Sequence, residues 1–209
     1  LKHRLSSASS SRCPVGFRPG ARLDLGPPQE DFEGMISKKE LAGLVERLRP
    51  GIESYNKSSK YGPLSFFEVY TALAFVYFKE QKVDFAVLET GLGGRLDATN
   101  VVRPLVCVIT PISYEHMDKL GYTLKAIAGE KAGIIKDRSS VISALQQTQA
   151  QKVIRAKARA AGARLYELGK DIRYRKTGSS FCVRGLYGEY QNLRIRLCGR
   201  HQLMNAALA

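Results

Sequence analysis

Acidic and imidazole side chains stand at two places where a buried strand is predicted to end. Glu89 comes directly before the glycine-rich residues 90–94, and Glu115 and His116 follow the next apolar run. In open α/β sheets, ligands bind beyond the carboxyl ends of the strands, so these groups are candidates for a ligand or metal site. Two alternatives stay open at this point: Glu89 can merely end a strand, and His116 can be a hydrogen-bonded surface residue.

Lys131 is predicted to lie on an otherwise apolar helix face. The residues that share this face by i, i+3 and i+4 spacing are Leu124, Ile127, Ala128 and Ile135. A lysine in such a place must extend its amine to solvent, form an ion pair or change its chemistry. Buried lysine amines become nucleophiles or sites of modification, so Lys131 is a candidate for chemistry, with a solvent-directed lysine as the alternative.

Two phosphate-binding motifs are absent from the sequence. The run Gly91-Leu-Gly-Gly-Arg-Leu96 fails the dinucleotide pattern, because the last glycine would have to stand at Leu96. The Gly169-Lys170 dipeptide fails the P-loop pattern, because Arg164 occupies the first position and Asp171 the last. A loop that cradles phosphates is therefore not predicted within this chain.

The elements that must position these residues are predicted from apolar periodicity. Capping boxes at Ser37-Lys-Lys-Glu40 and Ser65-Phe-Phe-Glu68 begin two helices, of which the first ends at Pro50 and the second is buried and ends near Gln81. Buried strands of the parallel type are predicted at 83–88, 105–109 and 141–145. The other predicted elements are helices at 124–135 and 148–161, a strand at 163–168, and two or three antiparallel strands up to Cys198. This order predicts an α/β domain.

The positive charge of the chain is concentrated near its end. Lys and Arg number 33 and Asp and Glu 19, a net charge of +14 at pH 7. Residues 150–200 hold 13 basic and 3 acidic residues, an excess of +10. Such a cluster can bind nucleic acid or another polyanion. The charges alternate with apolar residues in 171–175 and 193–197, however, which favours the solvent-facing side of a half-buried antiparallel sheet.

Composition excludes several classes of protein. A hydrophobic content of 44% excludes a wholly disordered chain, and no run of 18 apolar residues predicts a membrane-spanning helix. The four cysteines form no Cys-x-x-Cys pair and favour a reducing cytoplasm, each one being a small apolar residue. Residues 1–34 are rich in Ser, Pro and Gly, do not begin with Met, and are predicted to be irregular and to belong to an incomplete chain.

With these residues in place, the sequence resembles the folylpolyglutamate synthase and dihydrofolate synthase family of the Mur ligase superfamily. The resemblance runs from about Ile36 to Ala209. Five segments carry it in the family's order: residues 64–75, 89–100, 109–118, 130–136 and 199–209. The usual Asp before the metal-binding His is Glu115 here, which keeps a carboxylate.

The resemblance implies roles for individual residues. Glu89, His116 and Lys131 would be the Mg²⁺ ligands, and Lys131, carbamylated on its amine, would act with His116 in catalysis. Asn205 would contact the nucleotide. The segments that would line the folate or dihydropteroate site are Ser65, Phe66, Phe67, Glu68, Leu96, Asp97 and Ala98.

The resemblance also implies the fold class. It is α/β, a central Mur-ligase-type ATPase domain with a mainly parallel sheet flanked by helices and a small antiparallel sheet. The expected divisions are an unmatched stretch at 1–34, a partial ATPase domain at 35–198 and the start of a linker at 199–209. The P-loop, the Ser-Pro-His segment that follows it and the C-terminal domain are expected to be missing from the chain.

The implied reaction is ATP-dependent addition of L-glutamate to dihydropteroate or a reduced folate through an acyl phosphate. The expected partners are small molecules, namely ATP, L-glutamate and dihydropteroate or folate, and the expected cofactor is Mg²⁺. The protein is expected to be a cytoplasmic monomer that does not bind a membrane. Two alternatives are kept: another Mur-type amide ligase, and a non-catalytic basic fragment that binds nucleic acid. Activity of this chain alone is left open.

Overall fold

A computed structural model describes residues 35–209 of the protein. The predicted irregular stretch at 1–34, with Cys13, lies outside the described residues. Those described form two compact units. The first unit comprises residues 35–92 and Asp97–Val101, and the second comprises Gly93–Leu96 and Val102–Ala209.

The first unit is helical. Helix α1 spans Lys38–Ser58 and helix α2 spans Phe66–Glu80, and the two contact each other. A 3-10 turn, Ala98–Val101, also contacts α2. Both predicted capping boxes are present, because Ser37 and Ser65 each accept from the backbone N–H three residues on and the glutamate there accepts in return. The sequence thus predicted both helix starts correctly.

Three predictions for the first unit are wrong. Helix α1 continues through Pro50 to Ser58, since the missing N–H of a proline costs one hydrogen bond without forcing the helix to end. Helix α2 buries only Leu73. Residues 83–88 form no strand, and Phe85 and Val87 are 55% and 88% exposed. An apolar run becomes a strand only when a neighbouring backbone pairs with it, and none does so in the described part of the chain.

The second unit contains both predicted sheets. Three parallel strands pair in the order β1-β2-β3, with ranges Val106–Ile109, Ser140–Ser143 and Arg164–Glu167. Three antiparallel strands follow in the order β4-β5-β6, with ranges Arg173–Thr177, Ser180–Arg184 and Glu189–Leu193. The helices are α3 at Met117–Leu120, α4 at Leu124–Lys131 with a 3-10 turn at Ala132–Ile134, α5 at Thr148–Ala160 and α6 at Arg200–Leu208. The α/β class with a parallel and a small antiparallel sheet is confirmed.

The parallel sheet is covered unevenly. Cys107 and Ile109 of β1 are buried, whereas Val106 and Val108 on its other face are 51% and 43% exposed. Helices α4 and α5 contact each other, and α5 contacts β3. The prediction of a strand buried on both faces is therefore wrong for β1. Burial raises the pKa of the Cys107 thiol, which donates to the carbonyl of Ile134, so this cysteine is a structural residue.

A second core lies between the antiparallel sheet and α6. Phe181 and Val183 of β5 are buried here with Ala207 and Leu208 of α6. The predicted alternation holds in β4, where Tyr174 packs inward and its neighbours are exposed. Residues 194–197, predicted as a strand, are not one, because β6 already ends at Leu193.

Glu167 at the end of β3 is a buried carboxylate held by α5. The Arg155 guanidinium donates Nε to Oε1 at 3.0 Å and Nη2 to Oε2 at 2.9 Å, and Gln151 Nε2 donates to Oε1 at 3.0 Å. The hydrogen bonds from Arg155 lower the pKa of Glu167 by more than burial raises it. The carboxylate therefore ties α5 to the sheet while it is ionised.

We expect acid to destabilise the protein more steeply than it destabilises a Glu167→Gln variant. Because the folded pKa is depressed, the stabilisation is complete above the unfolded pKa of about 4.3 and is lost as pH falls through the folded value. Thermal unfolding between about pH 7 and pH 3 measures it. The exposed Glu189, changed to Gln, is the control; equal pH slopes for the protein and Glu167→Gln would contradict the expectation.

The helices differ from membrane-spanning helices in length or in composition. None of those between residues 35 and 209 combines the length and the apolar character that a crossing needs.

Candidate active site

Lys131 is the last residue of α4, and its amine is paired. The face that it shares with Leu124, Ile127 and Ala128 is buried, as predicted. Lys131 Nζ lies 2.5 Å from Glu115 Oε1, with side chains 25% and 42% exposed. Of the three outcomes that the sequence allowed for a lysine here, the structure shows the ion pair.

The loop that carries Glu115 and His116 is attached to the carboxyl end of the sheet. It follows β1, and Gln146, which follows β2, binds it with both amide atoms. The Ile112 N–H donates to Gln146 Oε1 and Gln146 Nε2 donates to the Thr110 carbonyl, each at 2.9 Å. Sequence reasoning missed Gln146; its signal is a polar side chain placed just after an inner strand.

His116 holds an uncommon backbone conformation. Its φ of 45° and ψ of 42° are left-handed, and it stands before α3 as the N-cap without a side-chain capping bond. Residues other than glycine seldom adopt this region, and when they do the position often has a functional reason. The imidazole is exposed. The structure thus leaves this side chain available for a ligand.

The glycine-rich turn comprises residues 90–96. Its second part, Gly93–Leu96, belongs to the second unit and packs against the end of α4. Arg95 donates its N–H to the Glu130 carbonyl at 2.8 Å, and its Nε donates to Glu130 Oε1 at 3.1 Å. A Cβ on Gly94 would lie 2.8 Å from the Glu130 carbonyl oxygen and 2.9 Å from that of Lys131. A Cβ on Gly133 would lie 2.5 Å from Arg95 Cα. These two glycines allow the turn to approach the backbone of Lys131.

In the first unit, Ser65 and Glu68 are engaged with each other. Glu68 Oε2 accepts from the Ser65 N–H at 2.7 Å and from its hydroxyl at 2.6 Å. The hydrogen bonds from Ser65 lower the pKa of Glu68. The capping box that the sequence predicts at Ser65 and Glu68 is therefore present in the structure.

The two phenylalanines beside this capping box are exposed. Phe66 is 75% exposed and its ring lies 4.2 Å from that of Tyr70, centre to centre. Phe67 is 42% exposed and covers Gly91, where an added Cβ would meet its ring at 2.6 Å. Together they form an aromatic surface at the start of α2 that is open to a ligand.

Asp97 braces the glycine-rich turn within the first unit. Its Oδ2 accepts from the N–H groups of Gly91 and Leu92 at 3.0 and 2.9 Å, and its Oδ1 accepts from the Thr99 N–H and hydroxyl at 3.0 and 2.6 Å. Burial raises the pKa of Asp97, but these hydrogen bonds together lower it below its ordinary value. The carboxylate orders the turn, a role that the sequence did not predict.

The remaining predicted site residues are placed as follows. Glu89 is exposed in the first unit, after residues 83–88. Leu96 is 79% exposed, and Ala98 begins the 3-10 turn. Asn205 lies in α6 and donates Nδ2 to Gln202 Oε1 at 3.3 Å.

The side chains predicted to bind Mg²⁺ differ in whether they can coordinate a divalent cation. Mg²⁺ prefers oxygen ligands, which Glu89 and Glu115 carry, whereas an ammonium group cannot coordinate a cation. Lys131 fits such a site only as a carbamate, an anion with two oxygens. Among residues 35–209, no three His, Cys, Asp or Glu side chains are grouped so that they could hold a metal ion.

Comparison with known proteins identifies the family. Residues 62–209 match the family described as the Mur ligase middle domain. The dihydrofolate synthase/folylpolyglutamate synthase of Bacillus subtilis is 42% identical over 180 residues, which cover 83% of this chain and 42% of that protein. Folylpolyglutamate synthase of Mycobacterium tuberculosis, solved with ADP and AMPPCP, is 36% identical with a TM-score of 0.75, over 83% of this chain and 41% of that one.

A third similarity is to a folylpolyglutamate synthase solved with AMPPCP and folate. It is 31% identical with a TM-score of 0.77, over 88% of this chain and 48% of that one. The chain thus spans less than half the length of these relatives. The resemblance inferred from the five sequence segments is confirmed, and the chain belongs to the Mur ligase family through its middle domain.

Proposed function

We propose that the protein is an ATP-dependent ligase that adds L-glutamate to dihydropteroate or a reduced folate. The observation that carries this proposal is the 42% identity to the Bacillus subtilis protein named for both activities. Relatives solved with AMPPCP and with folate support small-molecule ligands, a nucleotide and a folate. Mg²⁺ as the companion of ATP is part of the proposal.

The chemistry joins a carboxylate to an amine. The γ-phosphoryl group of ATP passes to a carboxylate oxygen of the pteroate or folate, which leaves ADP and an acyl phosphate. The glutamate amine then attacks the acyl carbon, and the tetrahedral intermediate releases phosphate as the amide forms. Charge on the phosphoryl oxygens and on the tetrahedral oxygen must be stabilised by preorganised groups. No covalent enzyme nucleophile is required.

In the second unit, we assign the phosphoryl chemistry to Lys131 and His116. While Lys131 is an amine, the 2.5 Å ion pair with Glu115 holds its side chain, and the Arg95–Glu130 contacts fix the end of the helix that carries it. As a carbamate, Lys131 would give up this pair and would hold Mg²⁺ together with His116, whereas the role of Glu89 as a further ligand stays a prediction from the resemblance. The ion would neutralise charge on the γ-phosphate.

In the first unit, we assign recognition of the flat ring system to the aromatic surface of Phe66 and Phe67. Offset stacking on exposed rings contributes about 0.5–1.5 kcal/mol beyond the area that is buried. Asp97 orders the backbone of Gly91, and Phe67 packs on Gly91. Asp97 therefore positions the aromatic surface indirectly, through Gly91.

We expect Asp97→Asn to raise the KM for the folate substrate about tenfold and to change kcat less. The asparagine amide keeps one acceptor oxygen and loses the negative charge, so some of the four hydrogen bonds that order the turn are lost. A hydrogen bond to a charged acceptor contributes about 1.5–3 kcal/mol. Steady-state kinetics measure the split. Asp84→Asn, at an exposed carboxylate of the same unit, is the control; an unchanged KM for Asp97→Asn would contradict the positioning role.

The proposed function is tested with an isotope. The protein, with ATP and L-glutamate, is given dihydropteroate or tetrahydrofolate whose carboxylate carries ¹⁸O, and released phosphate is analysed by mass spectrometry. Transfer of one ¹⁸O to phosphate together with a product longer by one glutamate supports the ligase. ATP hydrolysis without label transfer, or turnover of neither substrate, would overturn it. The substrate that reacts identifies the preference.

Several finer points remain predictions. They are the domain boundaries at 34 and 198, the nucleotide contact of Asn205, the monomeric state and the cytoplasmic location. The substrate-lining roles of Ser65, Glu68, Leu96 and Ala98 belong to the same proposal.

A further inference from the structure

The outward face of the antiparallel sheet carries arginines that lie side by side. Arg173 and Arg175 project from one face of β4, and Arg173 is the direct cross-strand partner of Arg184 on β5. All three are exposed. Like charges directly opposite each other on a sheet are destabilising, so the pairing of Arg173 with Arg184 costs stability.

These three guanidinium groups have no ion-pair partner within residues 35–209. Other basic residues of the described chain do form ion pairs, among them Arg47, Arg49, Arg95, Lys131 and Arg155. Glu189 is the cross-strand neighbour of Arg184 on its other side, yet the two form no salt bridge. This face, which we call the arginine face and define as Arg173, Arg175 and Arg184, therefore holds three guanidinium groups against the one carboxylate of Glu189 and keeps an excess of positive charge.

A shallow depression adjoins the arginine face. It holds about 170 Å³ and is lined by Arg175, Thr177, Ser180, Phe181, Cys182, Glu189, Gln191 and Asn192. The Arg175 guanidinium can bind a carboxylate through two parallel hydrogen bonds. Glu189 repels a carboxylate, so we expect a ligand carboxylate to bind the exposed guanidinium groups and not the inside of the depression.

We propose that the arginine face binds the chain of carboxylates on a γ-glutamyl tail, the polyanion that the ligase itself makes. This inference rests on the proposed function, because each added glutamate leaves one further α-carboxylate on the product. Successive carboxylates along an extended tail meet guanidinium groups spaced along β4 and across to β5.

The alternative polyanion, nucleic acid, fits this face less well. Single-stranded nucleic acids bind sheets whose exposed aromatic side chains stack on the bases. Here the aromatic residues of the strands, Tyr174, Phe181 and Tyr190, pack into the core on the opposite face, and the exposed Tyr187 lies in the turn between β5 and β6. Five-residue strands span roughly 17 Å, which is short for the six to ten phosphate contacts of a typical duplex-binding surface.

The test measures binding of fluorescein-labelled γ-glutamate oligomers of one, three and five residues by anisotropy, without ATP. The variant carries Arg173→Gln, Arg175→Gln and Arg184→Gln. The matched control carries Lys152→Gln, Lys157→Gln and Arg159→Gln, which removes the same charge from exposed positions on α5. Thermal unfolding confirms that both variants fold, and the relief of repulsion between Arg173 and Arg184 favours folding of the first.

We expect affinity to rise at least about fivefold from one to five residues, and to fall about tenfold or more in the arginine variant with a flatter salt dependence. The control should bind within about twofold of the unchanged protein. Equal losses in both variants, no dependence on tail length, or tighter binding of an oligothymidylate of equal charge would each overturn the proposal. Because the binding assay omits ATP, its result is independent of the isotope experiment. Tail binding can be observed when ligation is not, and ligation can be observed when tail binding is not.

Discussion

Lys131→Ala is expected to lower the rate of glutamate ligation by at least about a hundredfold. The amine of Lys131 stands at the end of α4, beside the packed glycine-rich turn and 2.5 Å from Glu115. Loss of one preorganised group that stabilises charge in a transition state costs about 10²–10³ in kcat. Single-turnover release of labelled phosphate measures the effect separately from product release.

Two further variants separate the chemistry of Lys131 from its structural role. Lys131→Arg keeps a cation that can pair with Glu115 but cannot form the carbamate, so we expect a folded protein with the same loss of rate. Lys125→Ala, at an exposed position of the same helix, should leave the rate unchanged. Removal of carbon dioxide should slow the unaltered protein and bicarbonate should restore it. A fully active Lys131→Arg protein would refute the carbamate.

Gly133→Ala is expected to destabilise the protein, whereas Gly129→Ala, four residues earlier, should stabilise it. An added Cβ at Gly133 would lie 2.5 Å from Arg95 Cα and 2.9 Å from its nitrogen, so backbone would have to move. Overpacking of this kind costs about 1–3 kcal/mol, or several degrees in Tm. Around Gly129, inside α4, a Cβ would meet nothing within 4 Å.

The opposite sign at Gly129 follows from chain entropy. Alanine restricts the unfolded chain more than glycine does, and in a helix it gains about 0.5–1 kcal/mol. Thermal and urea unfolding of the two variants against the unaltered protein measure both effects. If both substitutions stabilised the protein, the close approach of Arg95 to residue 133 would be refuted. The ligation rate should fall for Gly133→Ala as well, because the same contact fixes the end of the helix at Lys131.

Much of the secondary structure could be predicted because its causes are local. The capping boxes of Ser37 and Ser65 involve residues three apart, and a helix begins wherever that pair can form. The strands near 106, 140 and 164 and the helix from Thr148 follow from apolar runs and 3.6-residue periodicity. The exposed arginines of β4 follow from alternation in the same way.

The predictions that failed depend on partners that periodicity does not reveal. Residues 83–88 have the composition of a buried strand, but composition does not supply the neighbouring backbone that a strand needs. Helix α2 has apolar residues around most of its surface, yet only Leu73 is buried. Burial depends on what packs against a side chain, and that is a property of the whole fold.

For the candidate site, the sequence by itself determined which side chains are present and on which local element each lies. It placed Lys131 on an apolar helix face and Glu115 after a strand, and the resemblance pointed to both. Only the tertiary structure decided that Glu115 pairs with Lys131, that Gln146 holds the loop before His116, and that Asp97 braces a turn. These contacts join residues that are distant in sequence or in irregular loops, where geometry is set by packing and by the need of each buried polar group for a partner.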